Sequence, residues 1–536
     1  MSPRRLVLAL CAAHALVLFL CFASAPSGPD ASGYFVQARL IATQGRSWLR
    51  QESPAQFVGV HWLETADGRL ISRYPPGLPV LLAGVYRVFG STAALMVVPI
   101  LATLGVLLTF LLVRPLAGEW PALFAAGVLA TNGVLNERAL TFDAHTASLA
   151  VLLGGIVLLD RWARRREWIT GLAAGLVLGL LPSIRYGETV CGIGAAAFLL
   201  VQWRRGRPIG QAAVAVAGAA VPIAALLAYQ HAAFGSVTTT GYALTHEQGA
   251  FDLLYLRMHL LPYLRALLLH GPGVLLVLGL AGMLAMLADR DDRARGVLFL
   301  GVAAPLTLTY AAYYWPAGTP SLRFLLPSFP LYVAAAMWLL SRAWARLRPR
   351  WRALALALCA AQVAVGVAQS ARVLTERRSA LRAARAMWRW AQAHVPEGSA
   401  IAAPSTVQET LWYAGRWKLG DGDMLTGGPV PGDVPAIATD VPDPEQRRAD
   451  EVRMRYALME DSARERALLR ELAVWAGPGH DTYWLAPSGH TVPGDLVPLG
   501  EVSTPDSWPG RSSGNPADSG PCLGRLLAYR YSDPRR

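Results

Sequence analysis

The sequence predicts an α-helical polytopic membrane protein of about eleven transmembrane helices, with interfacial helices in the first outer loop and a small C-terminal α/β extracytoplasmic domain. Three observations predict it. Of 536 residues, 54% are hydrophobic and only 16% charged, with a mean hydropathy of +0.34, too apolar for a soluble chain of this size. Apolar runs of about 17 to 25 residues, the length that crosses a bilayer, recur along the chain. After Val395-Pro396-Glu397-Gly398 the composition turns to Gly, Pro and Asp with short strand-like runs.

Taken in order, the runs place spans at about 6–23, 92–113, 119–135, 144–160, 168–183, 187–203, 209–230, 271–288, 295–315, 323–342 and 351–371. The first begins after Arg4 and Arg5 and is followed by Ala23-Ser24-Ala25, which also suits a cleaved signal. The run from Leu6 to Phe22 is long enough to cross, so it is read as a retained span.

Arg4/Arg5, Arg114, Arg161–Arg166, Arg204–Arg207, Arg290–Arg295 and Arg342–Arg352 fall on one side if these spans alternate. The positive-inside rule makes that side, and the N-terminus, cytoplasmic. The outer segments are then Pro26 to about Ser91, Asn136–Asp143, Ser183–Gly187, His231–His270, Trp315–Leu322 and everything after about Arg372.

The first outer loop, Asp30 to Gly77, is the stretch around which the reading is organised. It opens with Gly28-Pro29-Asp30 and a helical signal at Tyr34–Leu40, passes His61 and Glu64, and closes on Arg73-Tyr74-Pro75-Pro76-Gly77. The apolar run Leu78–Phe89 is short for a crossing and reads as a helix in the outer interface.

Two domains are expected, a membrane domain over 1–371 and an outer domain over 372–536. The latter carries strand-like runs at Ser399–Ala403, Thr482–Ala486, Leu496–Val502 and Leu526–Tyr531, a helical pattern over Glu445–Trp475, and a flexible-loop composition at Arg511–Pro521. The +13 charge does not imply nucleic acid, because the arginines sit in short clusters between apolar runs. Cys11, Cys21, Cys191, Cys359 and Cys522 form neither a disulfide framework nor a metal pattern.

Ionisable groups at the edge of a membrane are costly and so are candidates for function. On the outer side these are Asp30 and Glu64; Glu137, Arg138, Asp143 and His145; Arg185 and Glu188; His231, His246, Glu247, Asp252, Arg257, His259 and His270; and Arg323. A carboxylate there can take a proton from an acceptor hydroxyl or amine, or hold a divalent ion, while arginines neutralise a lipid phosphate. That combination suits transfer of a sugar from a polyprenyl-phosphate donor.

Each has a structural alternative. Asp30 and Asp143 are natural helix N-caps, His145 a core histidine, Arg185 and Glu188 a structural ion pair, and Arg323 a snorkelling residue. The fourth-loop histidines lack a ligand spacing.

Three local segments resemble the GT-C superfamily of membrane glycosyltransferases, in the branch of the protein O-mannosyltransferases, the aminoarabinose transferase of lipid A and the RgtA/B/C/D-like proteins. Asp30-Ala31-Ser32-Gly33-Tyr34-Phe35-Val36-Gln37-Ala38 is similar to that family's segment after the first span. Arg73-Tyr74-Pro75-Pro76-Gly77 is similar to the element opening its interfacial helix, and Arg323-Phe324-Leu325-Leu326-Pro327-Ser328-Phe329-Pro330 to one near its final spans.

The resemblance covers about residues 1–370 and implies an inverting hexosyl or pentosyl transferase of the bacterial inner membrane. It would use a polyprenyl-phosphate sugar as donor, with membrane lipid and no nucleic acid as partners. It implies catalytic roles for Asp30 and Asp143 and substrate-binding roles for Tyr34, Tyr74, Arg138, His145, Arg185, Glu188 and Arg323. Ala31 stands where the better-known members have a second acid, which puts a two-carboxylate metal site in question and leaves a divalent cation open. The alternative is a lipid-linked sugar transporter or envelope polysaccharide assembly protein, since fold does not fix function.

Overall fold

The computed structural model describes all residues except 1, 27, 66, 246, 426–458, 460, 488–489, 495, 503–525 and 532–536. His246, Cys522, the 511–521 stretch and most of the expected 445–475 helix up to residue 460 therefore lie outside the described residues.

The membrane body is a set of apolar helices: α1 (Pro3–Cys21), α2 (Pro29–Gln44), α3 (Gly77–Ala117), α4 (Glu119–Ala130), α5 (Gly133–Thr141), α6 (His145–Arg165) and α7 (Trp168–Gly179). It continues through α8 (Leu181–Ile184), α9 (Gly192–Arg204), α10 (Ile209–Phe234), α11 (Gly241–Leu244), α12 (Leu253–His270), α13 (Leu275–Ala288), α14 (Arg293–Ala311), α15 (Phe329–Trp344) and α16 (Pro349–His394). The chain is a multi-pass membrane protein. α3 is broken at Gly90, whose φ of 83° is open to glycine. The expected short helix before residue 90 and the span after it are thus two separate rods.

Length and apolarity alone account for fewer helices than the eleven expected spans. Among the described residues six helices are long and apolar enough to cross, or seven if α12 and α13, bent by 110°, count as one. The remaining expected spans hold apolar helices of 12, 13, 16 or 17 residues, about 18–26 Å at 1.5 Å per residue, against a core of about 30 Å. Hydropathy runs on through the breaks at Asn132 and Leu325, so it cannot see them.

Between α2 and α3 lies a small antiparallel sheet that composition did not reveal, order β1-β3-β2, from β1 (Trp48–Arg50), β2 (Trp62–Glu64) and β3 (Arg69–Ser72). Its pairing Trp62↔Ser72 brings the loop back beside Tyr74.

α16 runs through residue 372 without a break. At 46 residues it is about 69 Å long, more than twice the hydrocarbon core, so its arginine-rich half projects beyond the apolar part. It leads into a five-stranded sheet of order β5-β4-β6-β8-β7, made of β4 (Ala400–Ala403), β5 (Lys418–Asp421), β6 (Thr482–Pro487), β7 (Val497–Val502) and β8 (Leu526–Tyr531). The four expected strands are present, and Lys418–Asp421 is a fifth that was not expected. β4 is parallel to β5 and β6, and β8 is antiparallel to β6 and β7. Helix Asp461–Ala476 packs on this sheet through Leu468, Leu469 and Leu472.

The sheet is joined to the first loop. The Phe57 amide donates to the Leu419 carbonyl at 2.7 Å and the Asp421 amide to the Ala55 carbonyl at 2.8 Å, so residues 55–57 run along β5. Helix α17 (Ser405–Trp412) then drives Trp412 edge-on against Trp62 at 5.3 Å and Phe57 at 5.5 Å.

Trp412 is 7% exposed, and a buried tryptophan cut to alanine costs about 3–5 kcal/mol. Trp412→Ala is expected to lower the thermal unfolding midpoint of the detergent-solubilised protein and to open the chain to limited proteolysis near Ser53–Gly59. An unchanged midpoint would show that the sheet is held by other contacts.

Candidate active site

The site is built around the first turn of α2. Pro29 starts the helix and Asp30 follows in its first turn, where the positive end of the helix dipole favours a carboxylate. The Asp30 side chain is half-buried, 39% exposed, so solvent still reaches it. His61 Nε2 lies 3.2 Å from Asp30 Oδ1, and the Tyr74 hydroxyl donates to the same oxygen.

Burial of Asp30 pushes its carboxyl up. The His61 hydrogen bond and charge, then Arg323 and the Tyr74 hydroxyl, outweigh this and hold it well below the usual carboxylate range. His61 is itself pushed down by burial and by Arg73, against the hydrogen bond and charge of Asp30, which raise it.

Local chemistry explains why Tyr74 reaches Asp30. Its ring stacks on Tyr34 at 4.4 Å and 23°, and a Cβ on Gly33 would lie 2.8 Å from the Tyr74 ring. A Cβ on Gly77 would lie 2.5 Å from the Ser183 carbonyl. The glycine of the Tyr-Pro-Pro-Gly segment thus lets the first loop press on the turn that carries Arg185. Arg73 bonds Glu247 at 2.5 Å and lies over the Tyr74 and Tyr242 rings.

Arg185 closes the opposite wall. Its Nε is 2.7 Å from Glu188 Oε1, its guanidinium donates to the Tyr310 hydroxyl at 3.0 Å, and it lies 2.8 Å from the His145 ring nitrogens. Glu188 is fully buried and His145 2% exposed. Arg323 differs. It lies over Phe324 at 4.9 Å and Trp315 at 5.5 Å, and no carboxylate pairs with it among the described residues.

Asp143 and Arg138 sit in a buried neighbouring network. Phe142 takes a left-handed conformation, φ 58°, a strained choice for a bulky residue, held by contacts with Phe22 and Phe35. That turn aims Asp143 inward, where it caps the His145 amide at 3.1 Å and accepts from Thr141 at 2.8 Å and Arg138 at 3.1 Å. Arg138 is shared with Glu137, which also takes Arg377 of α16.

Of the nine expected site residues, Asp30, Tyr34, Tyr74, Arg185 and Arg323 come together in one cluster, with His145 and Glu188 buried against Arg185 and with Arg138 and Asp143 in the neighbouring network. Sequence reasoning left out the Arg73–Glu247 pair, Tyr242 and Tyr310, and gave His61 no role. Glu409 of α17 was also left out; it bonds Ser32, and burial, then the Asp30 charge, push it up to about 8. These contacts join separate loops, and nothing local marks them.

A divalent ion does not fit Asp30 well: Asp30 and His61 offer two ligands, and no group of three His, Cys, Asp or Glu suited to a metal occurs among the described residues.

Residues 73–229 match the family model described as dolichyl-phosphate-mannose-protein mannosyltransferase. No curated protein sequence matches the chain. The crystal structure of ArnT from Cupriavidus metallidurans bound to undecaprenyl phosphate is similar at TM-score 0.60 and 14% identity, covering 98% of this chain and 97% of that one. The apo state of the same protein gives 0.57 and 13%, with 98% and 97% covered. An Archaeoglobus fulgidus oligosaccharyltransferase in the apo form gives 0.49 and 12%, covering 90% and 69%. The chain therefore shares the fold of that ArnT structure.

The depressed Asp30 carboxyl has a consequence for stability. A group whose folded value is lowered stabilises the fold above its unfolded value, about 4, and loses that contribution as pH falls through the folded one. Wild type is thus expected to exceed Asp30→Asn in thermal midpoint by a constant margin above about pH 5, shrinking on acidification. A margin independent of pH down to about 2 would mean that His61 and Tyr74 do not favour the ionised form.

Proposed function

We propose that this chain, whose fold is that of the GT-C glycosyltransferases, transfers one sugar with inversion from a polyprenyl-phosphate donor to a cell-envelope acceptor. The reaction would take place at the outer face of a bacterial inner membrane, with the N-terminus cytoplasmic and the C-terminal sheet outside. The observation that carries the reading is an ionised, open carboxylate, Asp30, sharing an aromatic-walled cleft with Arg323, a guanidinium unpaired among the described residues.

The acceptor hydroxyl or amine donates its hydrogen bond to Asp30, which aims its lone pair at the anomeric carbon. The new bond forms on the face opposite the phosphate as the carbon–oxygen bond to phosphate breaks, so the centre inverts. The electron pair leaves on the lipid phosphate, where Arg323 and Arg185 hold the charge, and the acceptor proton passes to Asp30. A carboxylate held below its usual range is a weak base. It suffices if the phosphate departs early, because the acceptor becomes acidic only once its bond to the sugar has largely formed.

In this reading Asp143 works at one remove, locking Arg138 and the first turn of α6 and so the His145 ring behind Arg185. Tyr34 and Tyr74 form the floor under the acceptor.

The test is transfer of labelled sugar from a panel of polyprenyl-phosphate sugars by the purified protein in lipid. Wild type is expected to be active and Asp30→Asn to be slower by about 10²–10⁴-fold, the range for a lost proton acceptor. Arg323→Ala is expected to weaken donor binding by about tenfold or more, the loss of one charged hydrogen bond, with a smaller effect on Arg323→Lys. Failure of every donor with folded protein would reject the reading.

A further inference from the structure

Glu409 belongs to the C-terminal sheet region, yet it ends at the first turn of α2. It is 4% exposed and Ser32 is 1% exposed. Ser32 Oγ contacts Glu409 Oε2 and also lies 3.1 Å from the Pro29 carbonyl. The serine hydroxyl has one proton to give, and the Pro29 carbonyl can only accept. If Ser32 donates to Pro29, the contact with Glu409 needs a proton supplied by Glu409. A protonated Glu409 satisfies the whole chain, from carboxylic acid to serine to carbonyl, within two residues of Asp30 on either side. An ionised Glu409 would take the serine proton from Pro29 and place a second buried negative charge beside Asp30.

We infer that Glu409 is a protonated positioning residue, through which the C-terminal sheet holds the first turn of α2 and therefore Asp30 in place. Charged and titratable groups on the elements around it are Asp30 on α2, His61 in the first loop, Arg385 on α16, and Lys418 and Asp421 on β5. Arg385 is turned to the Ser24 carbonyl and the Trp388 ring, and Lys418 to the Trp475 carbonyl. Burial of Glu409, then the Asp30 charge, push its carboxyl up to about 8.

The sign of the pH effect follows. A carboxyl whose folded value is raised gives its full stabilisation below the unfolded value, about 4.3, and loses it progressively as pH rises to the folded one. Glu409→Gln keeps the hydrogen-bonding shape without a proton to lose. Its thermal midpoint is therefore expected to gain on wild type steadily between about pH 4.3 and about pH 8, and to run parallel outside that window.

Glu409→Ala gives the same pH-dependent change with a constant offset for the lost contact, which keeps the test available should the glutamine variant not fold. A difference independent of pH, or one that favours wild type as pH rises, would overturn the inference.

The activity arm rests on the proposed function. Wild-type transfer is expected to fall above about pH 8, and the ratio of rates at about pH 9 and about pH 7 to stay level in Glu409→Gln; a structural contact alone would not move that ratio. The same alkaline fall in both proteins would overturn the positioning role. If wild type transfers no sugar at all, the proposed function fails while the stability arm still decides where the Glu409 proton resides.

Discussion

An ionised carboxylate at the edge of an apolar helix bundle must be surrounded by donors, or it will take a proton instead. Asp30 meets this condition through groups from separate stretches: its own helix N-terminus, His61 before β2, Tyr74 after β3, and Arg323 from the turn that precedes α15. Much of the surrounding architecture can be understood as the means of delivering those donors. The small sheet returns the chain to Asp30, Gly33 makes room for the Tyr74 ring, and Gly77 lets the same loop press on the turn carrying Arg185.

The C-terminal sheet is part of this arrangement rather than an appendage. Its β5 edge carries residues 55–57, its Trp412 fills the space under Trp62, and its Glu409 touches the helix turn that bears Asp30. Loosening that contact would move the loop that supplies His61. The position of the sheet and the electrostatics of Asp30 are therefore coupled through packing, as expected where a polar network is buried and its members have one good arrangement.

What could be read in advance divides along physical lines. Apolar runs, the strand-like runs at Thr482 and Leu526, and the break before the second span were legible because they depend on neighbours in sequence. So was the Arg185–Glu188 pair, three residues apart, and the capping geometry of Asp143. The shortness of the helix that begins at Glu119 was not, because a hydropathy window passes over Asn132 without registering that the helix stops. His61 and Asp30 are joined only by tertiary packing, Arg73 and Glu247 are 174 residues apart, and Ser32 and Glu409 are 377 apart. No periodicity marks such pairs.

The two cleft arginines illustrate how similar residues take different tasks. Arg185 is paired in charge with Glu188, donates to Tyr310 and lies against the His145 ring, so its charge is fixed in place and contributes a standing field. Arg323 is held by the faces of Phe324 and Trp315, and contact through an aromatic face orients a guanidinium without consuming its N–H groups. A group held this way keeps its donors for an incoming anion. Preorganised donors of that kind stabilise developing negative charge without having to reorient during a reaction. In the proposed reaction, the lipid phosphate would be captured by Arg323, with Arg185 acting from behind to keep the departing charge from drifting back toward Asp30.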